Sequence, residues 1–464
     1  MTKMIDTSLV IDASGPAGFA VVNNLRFLIN PVFYVLDRLN RFSGNSVVPL
    51  TNGNGSLVIL RGPEATKQFF TDTDSFHRVD DGTFRLPDGF PWSRMFDSVL
   101  TANEHEHRRR RKLLMPVFHQ SAMDHYKLVF ADTFRGSKFA LSNGSSFDMA
   151  NEFRIVARTN MLVCLMGLGP SAQNLDIAKR VAELLDSMFN PLTMMFRLNR
   201  PWTPYGRWLS RVADTCHLLT NLVERKRIEQ PRRDALSILC HTTDESGDYL
   251  TTSEIAGELH GLFAAGYETT ASAMIWTMLA CLAEPNLVLE DLDNVINETQ
   301  RLIPTVPMSL PRRATRDIQV GSTVVPRGAV ALVSPLLEHR NPQVFQDPHA
   351  FSPGRWREFR PTPYSFFPFG VGKRRCLGAG FADLQVRTTI RMALESADWR
   401  ALTTSIDYAV KSGIISFPKK PIFIRNGGGI PLASISGSVA RLWQPGSRID
   451  LMSQCSERLR RTHE

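Results

Sequence analysis

The chain has 464 residues, 43% of them hydrophobic, with 54 Lys and Arg against 45 Asp and Glu for a net charge of +9. This length is long for one core but allows a single elaborate unit, and the hydrophobic share is that of a globular protein, not of a disordered chain. Six cysteines (Cys164, Cys216, Cys240, Cys281, Cys376, Cys455) fall at no framework spacing, which argues against a disulfide scaffold and fits a reducing compartment. A basic balance suits nucleic acid, an anionic membrane or an acidic protein. No nucleic-acid motif or repeat is visible, so an acidic protein partner is expected.

No signal peptide of the usual shape opens the chain. Gly18 to Leu36 is fairly apolar, but Asn23, Asn24, Arg26, Asn30 and Pro31 interrupt it and argue against a membrane span. Val22, Leu25, Ile29, Val32 and Leu36 recur at helical spacing, as for a helix packed on the domain or lying on a membrane surface. Val47–Leu50 and Leu57–Leu60 are β-rich and flank Asn52-Gly53-Asn54-Gly55, a hairpin signal. Pro63 to Phe70 reads as a short helix. Residues 72–98 read as a loop, yet carry Phe84, Phe90, Trp92, Met95 and Phe96. These aromatics either anchor the loop or wall an apolar pocket.

His105 to Lys112 holds four consecutive arginines and runs into Leu113 and Leu114. His107 and Arg111 are four apart and share a helix face; a solvated basic helix is the plainer reading. Residues 120–230 read as successive helices. Met188, Phe189, Met194, Met195 and Phe196 cluster around Pro191 as core or as an adaptable lid. Glu224 to Asp234 reads as an exposed charged turn. Thr251 to Leu282 is the longest helical pattern, with Thr252 or Ser253 as cap. Within it, Gly266 and the β-branched pair Thr269 and Thr270 weaken the helix, and a threonine hydroxyl can bond a backbone carbonyl. Asp291 to Ile303 is a further helix, stopped by Pro304, with Glu298 and Arg301 on one face. Ile318–Val320, Thr323–Val325 and Val330–Val333 read as strands. Ile414–Phe417 and Ile422–Ile424 read as a closing hairpin, and residues 427–464 as a tail.

Phe369-Gly370-Val371-Gly372-Lys373-Arg374-Arg375-Cys376-Leu377-Gly378 precedes a helix-like run from Ala379 to Leu394. The glycines permit a tight loop and close backbone approach. A helix start and three cations should lower the Cys376 pKa, and the thiolate is the metal-binding form. With no second cysteine nearby, zinc or an iron–sulfur cluster would lack ligands. The plainer reading is a buried cysteine beside a glycine turn.

The spacing Phe-x-x-Gly-x-x-x-Cys-x-Gly resembles the haem-binding loop of the cytochrome P450 family, the haem-thiolate monooxygenases. His107-x-x-x-Arg111, Ala264-Ala265-Gly266-Tyr267-Glu268-Thr269-Thr270, Glu298-x-x-Arg301 and Arg312-Arg313-Ala314-Thr315-Arg316-Asp317 resemble further family elements, in family order, over roughly residues 45 to 425. The resemblance implies a mainly α fold with a small β region, a triangular helical prism. It implies an N-terminal segment 1–44, one domain over 45–426 and a tail over 427–464. Cys376 would ligate the iron of haem b, with Phe369, Gly370 and Gly378 shaping the loop. His107, Arg111, Arg374 and Arg312 (its register against Arg313 being open) would reach the haem propionates.

By the same resemblance, Gly266 opens an O2 groove, Glu268 and Thr269 form a proton-relaying acid–alcohol pair, and Glu298, Arg301 and Arg355 form a structural triad. Phe84, Phe90, Phe96, Phe263, Val306, Met308 and Ile414 are the candidate pocket. The implied activity inserts one atom of O2 into a small apolar substrate of the terpenoid, fatty acyl, polyketide or steroid kind. Electrons would come from ferredoxin and ferredoxin reductase, docked on Lys373, Arg375 and outward members of Arg108–Arg110. A peroxide-driven haem enzyme and a non-catalytic haem binder are the alternatives; the acid–alcohol pair argues against both. A cytoplasmic monomer with no nucleic acid and no membrane span is expected.

Overall fold

A computed structural model describes residues 46–427, except 51–55, 80–85, 88, 91, 93–95, 103, 142–143, 189–192, 194–195, 284–288, 404 and 412–414. The expected N-terminal helix, the 52–55 turn, most of the Met-rich cluster, the tail beyond 427, and the pocket candidates Phe84 and Ile414 lie outside the described residues.

Nine helices of nine or more residues are described: α1 (Pro63–Thr71), α2 (Glu104–Leu114), α3 (Gln120–Arg135), α4 (Met149–Met166), α5 (Ala172–Met188), α6 (Pro204–Ile228), α7 (Thr252–Ala283), α8 (Leu292–Leu302) and α9 (Ala379–Ser396). α7 is the axis. Its 32 residues span about 48 Å at the usual helical rise. It is apolar on every side, so it has to be wrapped. α4, α6, α8 and α9 pack around it, and α3 closes the bundle against α4 and α9. Trp276 and Phe263 of α7 have no exposed surface. The helix opens with a capping box: Thr251 Oγ1 accepts from the Glu254 N–H at 3.2 Å, and the Glu254 carboxylate accepts from the Thr251 N–H at 2.8 Å. The cap is therefore one residue before the expected Thr252 or Ser253.

A five-stranded sheet sits beside the bundle. Its strands are β1 (Val47–Pro49), β2 (Leu57–Leu60), β3 (Phe76–Arg78), β4 (Arg312–Ala314) and β5 (Val330–Val333), in the order β1-β2-β5-β4-β3. β1 and β2 are antiparallel, with Val47 opposite Leu60, as the hairpin signal predicted. β2 and β5 are parallel. β4 lies antiparallel between β5 and β3, with Arg312 opposite Ala331 and Arg78. Strand alternation then buries Arg312 and Ala314 and leaves Arg313 on the more accessible face.

Two expectations need correction. Ile415–Pro418 pairs with Tyr408–Lys411, while Phe423–Asn426 pairs with Phe147–Asp148 and Trp399–Ala401. They do not form a hairpin with each other, because Pro418 and Pro421 bound the connection and cannot donate to a ladder. The stretch 224–234 is also not a plain exposed turn. α6 runs on to Ile228, and buried Lys226 pairs at 3.2 Å with buried Asp234. Asp234 in turn caps the short helix Ala235–His241.

Candidate active site

The cysteine loop is held by its own backbone. The Cys376 N–H donates to the Phe369 carbonyl at 2.8 Å, the Gly370 N–H to Phe367, and the Arg375 N–H to Gly372. Gly370 and Gly372 have φ +67° and +73°, the left-handed region that glycine enters freely. A Cβ at Gly372 would also lie 3.3 Å from the Phe70 carbonyl. Gly378 carries no such demand: its φ is −87° and a Cβ there would meet Phe118 at an ordinary 3.7 Å. Cys376 is exposed, yet burial among surrounding atoms pushes its thiol up, outweighing the Gly378 N–H and the Arg375 and Arg111 guanidinia. The expectation of a lowered thiol pKa is thus corrected: loss of water outweighs the cations. Metal coordination deprotonates a thiol outright.

Beside the thiol lies a cluster of cations. His107 and Arg312 are buried; Arg111 and Arg374 are half-buried. Arg111 feels the Cys376 charge directly, and its Nη1 donates to the Arg375 carbonyl at 2.9 Å. Arg374 donates to the Ala102 carbonyl at 2.7 Å. Arg312 donates to the Phe69 carbonyl at 2.5 Å and lies over the Phe69 ring at 4.6 Å. Arg313, by contrast, donates to the Gly328 carbonyl at 2.9 Å. Burial and then Arg374, Arg111, Arg108 and Arg312 push His107 down to about 4. Burial and Arg374 push Arg312 down to about 10. The charges that chiefly shift these two groups are cations, so the cluster suits a ligand that brings carboxylates.

The other face of α2 is the opposite case. Arg109 pairs with Asp244 at 3.0 Å and Glu254 at 3.3 Å. Buried Arg110 pairs with fully buried Glu258 at 2.9 Å, and with Glu106 and Glu254. Glu258 also accepts the Val99 N–H at 2.9 Å. Arg109 and Arg110 are therefore not the outward members expected among Arg108–Arg110: they rivet α2 to the start of α7. Arg108, Lys373 and Arg375 stay exposed.

On α7 the Thr269 hydroxyl donates to the Ala265 carbonyl at 2.5 Å. Ala265 is exposed although Phe263, Tyr267, Glu268 and Thr270 around it are buried, so this turn borders open space. A Cβ at Gly266 would meet the Met161 sulfur of α4 at 2.8 Å, and α7 stays unbroken through this turn. Glu268 is buried and pairs with Arg154 of α4 at 3.7 Å. Arg154 also stacks on Phe417 at 4.3 Å.

Glu298 and Arg301 are fully buried and doubly bonded at 2.8 Å. Arg355 joins Glu298 at 3.1 Å. Sequence reasoning missed two further donors to Glu298, the Ser352 N–H at 2.8 Å and Trp356 Nε1 at 2.9 Å. Arg301 spends its remaining donors on the carbonyls of His339, Pro348 and Ala350. Of the pocket candidates, Phe90 and Val306 are half-buried. Phe263 packs in the core on Tyr267 at 5.4 Å. Phe96 stacks on Trp208 at 5.8 Å. Met308 is buried with Val48, Leu50, Ile59 and Leu332 against the sheet.

A family model described as Cytochrome P450 matches residues 14–290 and 287–425. A Mycobacterium tuberculosis protein named as cytochrome P450 138 is 26% identical over 388 residues, 79% of this chain and 85% of that protein. Cytochrome P450 137 of the same organism is 26% identical over 433 residues, 88% of each. Among solved structures, a cyanobacterial P450 bound to retinoic acid matches with a TM-score of 0.71 at 20% identity, over 84% of this chain and 96% of that one. The P450DA haem domain matches at 0.68 and 18% identity, over 85% and 92%.

Proposed function

The chain belongs to the cytochrome P450 family, whose members are haem-dependent monooxygenases, and we propose that it oxygenates an apolar organic molecule with Cys376 as the thiolate ligand of haem b. One observation carries the assignment. Among the described residues one thiol, Cys376, is exposed; it interacts with Arg111, and Arg111 belongs to a cationic cluster with His107, Arg374 and Arg312. An iron porphyrin with two propionates matches that donor set: one soft ligand for the metal and several cations for the carboxylates.

Haem, when bound, supplies the electron-transfer and O2 chemistry. The chain's own residues hold and protect it. Gly370 and Gly372 let the loop lie close against Phe70, and the Phe369 carbonyl fixes the Cys376 peptide. Thr269 parks its proton on the Ala265 carbonyl, so its oxygen stays free to accept a hydrogen bond. To donate one, it has to rotate away from Ala265. Glu268 relays protons toward Thr269 after leaving Arg154. One oxygen atom of O2 enters the product and the other leaves as water. Half-buried Phe90 and Val306 support an apolar substrate of the terpenoid, fatty acyl, polyketide or steroid kind. Electrons arrive from a separate protein, a ferredoxin served by its reductase. Exposed Lys373, Arg375 and Arg108 would steer an acidic donor to the cysteine side. No helix among the described residues is long and apolar enough to cross a membrane.

Cys376→Ser tests the ligand. The variant should lose the red-shifted thiolate band of the reduced carbon-monoxide complex, and its retention would overturn the assignment. Thr269→Ala should keep haem and electron uptake while diverting electrons from product to peroxide. Product and peroxide measured per electron consumed decide it; unchanged coupling would reduce Thr269 to a helix residue.

A further inference from the structure

We propose that His339 is a positioning residue for the cysteine loop: its ring nitrogen holds the Phe367 peptide and ties that loop to the Glu298–Arg301 network. The proposal rests on the haem-thiolate reading of Cys376. His339 follows the short helix Pro335–Glu338 and has no exposed surface. The Phe367 N–H donates to its Nε2 at 2.9 Å. That bond requires a lone pair on Nε2 and so puts the ring proton on Nδ1. Nδ1 faces the Gln300 carbonyl of α8 at 3.4 Å. The His339 carbonyl accepts from Arg301 at 3.0 Å. One residue thus touches the buried arginine with its backbone, and α8 and the loop with its ring.

Two aromatic branches leave this point. The ring lies 4.9 Å from Phe366 and 5.1 Å from Phe367. Phe366 packs on Trp356 at 4.5 Å, and Trp356 donates to Glu298. Phe367 meets Phe70 edge-on at 5.5 Å. Phe70 is the residue under Gly370 and Gly372, and Arg312 lies over its ring at 5.6 Å. The Phe367 carbonyl accepts from Gly370, and the carbonyl of Phe369, two residues on, fixes the Cys376 N–H. A shift of the Phe367 peptide is therefore passed to the ligand and to the cationic cluster together. Burial holds the imidazole neutral, with its pKa pushed down to about 3, so Nε2 stays an acceptor. Phe367 is itself buried. Without His339 its N–H is a buried donor with no acceptor, a costly state that the loop relieves by moving.

The experiment compares full-length wild type, His339→Gln and His339→Phe, each loaded with haem. Glutamine keeps an acceptor near the Nε2 position; phenylalanine keeps the ring and loses the acceptor. We expect His339→Phe to release haem to a scavenging apoprotein about tenfold faster, the scale of a lost outer-shell partner. It should also move much of the reduced carbon-monoxide complex from the thiolate band to the neutral-thiol band. His339→Gln should stay near wild type in both. Wild-type behaviour of His339→Phe, or equal damage in both variants, would overturn the proposal. Should His339→Phe fail to fold, ¹⁵N-histidine NMR of the wild type decides: a proton on Nε2 refutes the bond to Phe367, and a proton on Nδ1 sustains it. A wild type without any thiolate band would instead refute the reading of Cys376, and the NMR result would stand apart from it.

Discussion

Two buried arginines, Arg301 and Arg312, differ in company. Arg301 has a carboxylate and three carbonyls for its donors. Arg312 has one carbonyl, two phenyl rings and the repulsion of Arg374. The same division runs along α2, where Arg109 and Arg110 face acids and His107 faces only cations. Buried charge is tolerated when it is paired. A matched arginine is therefore complete within the chain, while a crowd of like charges costs stability until a ligand supplies the counter-charge. Company, not burial or residue type, separates scaffold from site.

The largest test breaks the matched side. Glu298→Ala leaves Arg301 and Arg355 facing each other and strips acceptors from the Ser352 and Trp356 N–H groups. We expect a loss of about 3–5 kcal/mol, the usual cost of removing one partner of a buried pair. Urea unfolding of the haem-free protein measures it. A loss below about 1 kcal/mol would mean that the network is no more than a surface pair.

The unmatched side should respond with the opposite balance. Arg111→Gln removes one of the cations crowding His107 and keeps a donor for the Arg375 carbonyl. The haem-free protein should change by no more than about 1 kcal/mol, as for other half-exposed sites. Haem affinity should fall by roughly tenfold or more, the worth of a charge-assisted hydrogen bond. Equilibrium unfolding and haem titration on the same preparation read both. A variant that loses stability and keeps its affinity would put Arg111 with the scaffold.

That contrast also explains what was legible in the sequence. The cysteine loop, Glu298-x-x-Arg301 and Thr269 were readable because their partners lie within a few residues: Cys376 bonds Phe369, Arg301 bonds Glu298, and Thr269 bonds Ala265. Strands and helices with strong local patterns were readable for the same reason. Which of Arg108–Arg110 face outward is not legible, because the acids that hold Arg109 and Arg110, Asp244, Glu254 and Glu258, lie more than 130 positions away. Nothing in four consecutive arginines says which of them meets an acid. Gly266 is ambiguous in the sequence, because a helical glycine serves a ligand groove or a close helix contact equally well, and its neighbour Met161 shows only in the fold. The thiol's direction was wrong because a sequence displays charges but not the water removed around them. His339 gave no signal at all, since its role lies in a backbone N–H that any residue at 367 other than proline would present.

The smallest test uses protons. His107 in the haem-free fold has a pKa of about 4, below its ordinary value of 6.5. Between those values the unfolded chain carries a proton that the folded chain does not. His107 therefore makes the haem-free protein less stable as pH falls through that window, with no further loss below about 4. Buried His260 and His339, pushed down to about 4 and about 3 by burial, act in the same direction, so the slope alone does not isolate His107. Ligand binding does. Coordination releases the Cys376 thiol proton in every variant, while carboxylates placed beside His107 oppose the arginines, raise its pKa and take up part of a proton near pH 5. Calorimetric titration in two buffers of different ionisation enthalpy measures the net release. It should be larger in His107→Gln than in wild type and unchanged in His260→Gln. Equal release in all three proteins would mean that the carboxylates do not meet His107, and the cationic cluster would need another ligand.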